Sequence, residues 1–105
     1  MQEKYRIEIS NKAKEDLKRI VLYIKNELKE PVVAKRYAEL IKKEILGLQY
    51  LPQKYSIIDN ILIKDFGVRK LIVKNYIVFY RINESKKTVN VDRILYAAID
   101  WINKL

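Results

Sequence analysis

At 105 residues the chain is long enough for one hydrophobic core and too short for two, so residues 1–105 are expected to form a single domain. Half of it is apolar and a third is charged, the balance of a folded protein. It has neither cysteine nor histidine, which excludes disulfides, thiol nucleophiles, imidazole bases and the usual zinc ligands. No metal or cofactor is expected, and any catalysis must draw on Lys, Arg, Tyr, Ser or carboxylates. No apolar run approaches the about 20 residues of a membrane span. The first residues also lack the apolar stretch of a secretory signal, so a cytoplasmic protein is expected.

Lys4 to Ile9 alternates, with Tyr5, Ile7 and Ile9 on one face and Lys4, Arg6 and Glu8 on the other, which predicts a half-buried strand. Ser10 fits as a helix N-cap. Ala13, Leu17, Ile20, Ile24 and Leu28 then follow at the spacing of one helix face. Pro31 ends that helix and suits the first turn of the next. Ala34, Tyr37 or Ala38, Ile41, Ile45 and Leu48 give the second helix its buried face, and Pro52 stops it. Two amphipathic helices joined at a proline predict an antiparallel hairpin.

Gln53 to Asp65 is weakly patterned and reads as loop, with Ile61 to Ile63 the alternative start of a strand. Strands are expected near Val68–Val73, Tyr76–Ile82 and Thr88–Leu95, joined by a tight turn at Lys74-Asn75 and a longer one at residues 83–87. Ala97 to Leu105 reads as a short terminal helix or tail. The order β-α-α-β-β-β predicts an α+β fold: an N-terminal strand, and a helix hairpin packed on a mainly antiparallel sheet.

Charge is distributed unevenly over this plan. The net charge is +9, and residues 61–105 alone carry nine Lys and Arg against four Asp and Glu. Arg69, Lys70, Lys74, Arg81 and Arg93 interrupt predicted strands, interleaved with tyrosines, and such a face suits an anionic partner. For Arg69 and Arg93 an internal network with Asp65, Asp92 or Asp100 competes equally with a partner contact. Tyr76 and Tyr80 fit the core better than an exposed stacking platform. Trp101 fits best as an anchor holding the tail on the core.

The whole pattern resembles the RelE/ParE superfamily of bacterial type II toxins. The resemblance rests on the opening strand, the helix pair broken at Pro31, and the Leu51-Pro52 ending of the second helix. The run from Arg69 to Ile82, containing Asn75-Tyr76-Ile77-Val78-Phe79-Tyr80-Arg81, is similar to the family's central hairpin. The run from Arg93 to Trp101 resembles its last strand and tail. RelE-like members cut messenger RNA on the ribosome, using cations to stabilise charge at phosphorus. ParE-like members are associated with DNA gyrase.

Ile77 stands where the nucleases keep a hairpin arginine, and Ala98 and Ile99 replace their two tail arginines. Tyr96 takes the place where many members have histidine. The resemblance therefore implies a ParE-like toxin, neutralised by a cognate antitoxin, that meets operator DNA only through the antitoxin complex. Arg69, Lys70, Lys74, Arg81, Arg93, Tyr96 and Trp101 are the candidate partner-binding residues. Two alternatives stand beside it. One is a nuclease acting on the ribosome and its messenger RNA through a reduced site of Lys64, Lys70, Lys74 and Tyr96. The other is a degenerate, non-toxic antitoxin-binding domain.

Overall fold

A computed structural model of the chain describes residues 4–105. Four strands form one sheet: β1 (Arg6–Ile9), β2 (Arg69–Val73), β3 (Tyr76–Asn83) and β4 (Thr88–Tyr96). Two helices, α1 (Asn11–Leu22) and α2 (Pro31–Gly47), form the expected hairpin. The α+β class and the element order are those read from the sequence. Ser10 caps α1, its Oγ accepting from the Ala13 N–H at 3.0 Å and donating to the Asp92 carbonyl at 2.8 Å.

The first helix does not run evenly to Leu28 as its apolar spacing predicts. Residues Tyr23–Glu27 widen into a π turn, in which the Leu28 N–H reaches back to the Tyr23 carbonyl. This turn keeps Ile24 buried while Lys29, at φ 53°, reverses the chain into Pro31. Pro31 occupies the first turn of α2, where its missing N–H costs nothing.

The sheet order is β1-β4-β3-β2. β3 pairs antiparallel with both β2 and β4, whereas β1 runs parallel to β4. A bulge between Phe79 and Tyr80 sets Arg93 opposite Phe79 and Val91 opposite Tyr80, leaving Asp92 as the extra residue. Strict alternation would send Val91 and Ile94 to opposite faces; the bulge returns both to the helix side.

Both faces of the sheet are covered. On one, Ile41, Ile45 and Leu48 of the helix hairpin pack against Val78, Tyr80, Val89 and Ile94. Each fully buried large apolar side chain contributes about 1.5–3 kcal/mol. On the other face, Ile77, Phe79 and Leu95 pack with Ile58, Val68, Ile63, Ile99 and Trp101. Trp101 lies 5.1 Å from Phe79, ring centre to ring centre, and pins the tail that carries it.

Ile61 to Ile63 does not begin a strand. The Asn60 side chain accepts from the Leu62 N–H at 2.9 Å, and its carbonyl accepts from Ile63 and Lys64. These bonds bend the segment into a turn. The outer edge of β2 is met instead by Ile57, bridged to Arg69.

Candidate functional site

Between the helix hairpin and the ends of β3 and β4 lies a groove of about 560 Å³. One wall is Tyr23, Leu28 and Tyr37; the other is Tyr76, Tyr96 and Ile99. Tyr37 meets Tyr76 edge-on at 6.1 Å, and Tyr76 meets Tyr96 at 5.7 Å. Such edge-to-face pairs favour a fixed geometry, so the wall is ordered before any partner arrives. Burial, helped by the neighbouring phenols Tyr37 and Tyr96, holds the Tyr76 hydroxyl above its ordinary pKa.

The floor of the groove carries one buried carboxylate, Asp16. Arg93 donates to it through two nitrogens, at 2.8 and 2.9 Å, and the Ile94 N–H donates at 3.0 Å. β1 ends opposite Val91, so at Ile94 the side of β4 away from β3 has no strand neighbour; the Asp16 side chain takes the place of a strand carbonyl there. The bond to Asp16 raises the Arg93 pKa. Arg93 also donates to the Lys104 carbonyl at 2.7 Å, which ties the tail to the same point. Arg19, mostly exposed at the rim, makes only a long 3.4 Å contact with the already satisfied Asp16.

The strand cations therefore divide into two groups. Arg81 makes a two-point pair with Asp92 at 2.7 and 2.9 Å. Arg69 donates to the Gln53 and Tyr55 carbonyls at 3.1 and 2.6 Å. Of the internal acids expected for Arg69 and Arg93, neither Asp65 nor Asp100 is used: Arg93 takes Asp16, and Asp92 goes to Arg81. Lys64, Lys70 and Lys74 are exposed and enter no ion pair among the described residues.

The chain does not bring the reduced nuclease set together. Lys70 pairs with Phe79 and lies on the sheet face away from the helices. Tyr96 pairs with Tyr76 and lies on the helix side, in the groove. Lys64 sits in a separate turn before β2, and Lys74 in the β2–β3 turn at φ 56°.

Residues 7–101 match the sequence pattern of the family described as the ParE toxin of the type II toxin-antitoxin system parDE. The chain belongs to the ParE toxin family. Two solved structures share its fold. One, titled a chromosomal ParDE toxin-antitoxin system from P. aeruginosa, is 20% identical with a TM-score of 0.72, over 88% of this chain and 95% of that one. The other is the toxin-antitoxin complex RelBE2 from Mycobacterium tuberculosis, 18% identical with a TM-score of 0.65, over 94% and 98%. No curated protein matches the chain significantly.

In this ParE-family toxin, Ile77 is buried in the cluster under Trp101, and Ile99 serves both that cluster and the groove. The fold uses both positions for apolar packing. Sequence reasoning missed Asp16 and Tyr23. The signal for Asp16 was its place three residues after Ala13, inside the apolar register of α1, where a carboxylate is costly unless paired.

Proposed function

We propose that this ParE-family toxin arrests growth through DNA gyrase, as a binding inhibitor in the cytoplasm with no catalytic step of its own. The observation that carries this reading is the sheet face away from the helices, filled by Ile77, Phe79, Leu95 and Trp101. Phosphodiester cleavage needs cations converging on a phosphate. Here an apolar cluster fills that face beside Lys70, and Lys70 and Tyr96 stand on opposite sides of the sheet.

A cognate antitoxin neutralises the toxin from the groove. An amphipathic segment would set an apolar stripe between Tyr23 and Tyr96, with acidic residues toward Arg19. Both solved relatives are toxin-antitoxin systems, which supports a partner of that kind. The +9 net charge would steer an acidic antitoxin and speed its association. Operator DNA is then reached through the antitoxin complex.

The competing nuclease reading draws on one observation, that Lys64, Lys70 and Lys74 are exposed and enter no ion pair among the described residues. Induced expression in bacteria with two early readouts separates the alternatives. DNA breaks with SOS induction and intact messenger RNA are the expected outcome. Rapid cleavage of translated messages would overturn the proposal, and undisturbed growth with soluble protein present would leave a non-toxic antitoxin-binding domain.

A further inference from the structure

The turn between α2 and β2 displays apolar side chains that the fold does not use. Ile61 is 84% exposed, Leu62 68% and Phe66 67%. They are not on a loose loop. Ile58 and Ile63, from the same segment, point inward and pack on Phe79 and Ile77. Asn60 ties the turn internally, and the Ile58 N–H bonds the Val68 carbonyl at 2.8 Å. Gly67, at φ 69°, closes the turn in a conformation that disfavours other residues. Ile58 and Ile63 anchor the segment while Ile61, Leu62 and Phe66 are held outward, a cost in solubility with no return in folding.

We infer that this turn is a docking knob, by which the toxin seats in an apolar recess with an acidic rim on its target protein. This rests on the gyrase reading above and assigns it a surface separate from the antitoxin groove. The knob projects, so its complement is concave. Its surroundings choose the rim: residues 54–74 carry five Lys and Arg against Asp59 and Asp65, and Lys64, Lys70 and Lys74 enter no ion pair among the described residues. A second copy of the chain fits poorly, because a two-fold contact would set those lysines against themselves. An acidic rim around an apolar pocket meets both features at once.

The test uses purified full-length toxin and DNA gyrase. Wild type, the double variant Leu62→Ser/Phe66→Ser, and the control Val32→Ser, equally exposed at 68% but on α2, are compared in binding and supercoiling assays. The knob variant is expected to lose at least about tenfold in gyrase affinity, as removal of anchor residues does. It should unfold at the wild-type temperature. Val32→Ser should behave as wild type. Wild type inert on gyrase overturns the gyrase reading and the knob with it. Wild type and knob variant inhibiting equally overturns the knob alone. So does a concentration-dependent dimer that the variant abolishes.

Discussion

Asp16 and Arg93 lie 77 residues apart in sequence and meet as a two-point ion pair where β4 runs beyond the end of β1. Asp16 is 2% exposed and Arg93 17%. The pair joins the first helix, the last strand and, through the Lys104 carbonyl, the tail. Asp16→Asn removes the negative charge and one of the two acceptor oxygens, and sets an NH2 donor against the Arg93 guanidinium or the Ile94 N–H. Breaking a buried pair from one side costs about 3–5 kcal/mol. Urea unfolding should show that loss, and a variant within about 1 kcal/mol of wild type would sink the assignment.

Tyr80 gives the fold an alkaline limit. It is fully buried, its hydroxyl donating to the Pro52 carbonyl at 2.6 Å, and burial pushes its pKa up to about 12. In the unfolded chain the phenol titrates near 10. The contribution is thus complete below about pH 10 and is lost as pH rises toward 12, about 2–3 kcal/mol in all. Stability measured from pH 8 to 12 should fall in that window. Tyr80→Phe should be less stable at pH 8 and should flatten the decline.

Leu28, half exposed on the groove wall, separates partner binding from folding. Leu28→Asp is expected to leave the unfolding temperature nearly unchanged, as exposed substitutions do. It should nevertheless weaken antitoxin binding by about tenfold or more, since a charge would be buried without a partner. Titration calorimetry with the antitoxin decides the point. Unchanged affinity would move the antitoxin off this wall.

Lys74 occupies the first position of the two-residue turn between Val73 and Tyr76, at φ 56°. A two-residue hairpin turn with a positive φ at that position favours glycine. Lys74→Gly should therefore raise stability by about 0.5–1 kcal/mol, because the left-handed cost to lysine exceeds the entropy glycine loses. A thermal melt checks it; a lower midpoint would show that the lysine side chain supports the turn by other means.

The sequence by itself determined the element order, the class and the family. The family rests on the resemblance of the whole pattern, whereas the order and class follow from local signals: period-2 and period-3.6 apolar spacing, Ser10 as a cap, and Pro31 between helices. Tyr76 and Tyr80 were legible as core residues for the same reason. What the sequence left open depended on contacts between distant residues. Cations in the strands read as a partner-facing surface, yet the fold engages Arg69, Arg81 and Arg93 internally. Only the parallel pairing of β1 with β4 creates the edge that Asp16 must close. Only the bulge at Asp92 gives Arg81 its acid and keeps Val91 and Ile94 on one face. Alternation places a side chain on a face of its own strand; which carboxylate meets it there is set by where the chain returns in space.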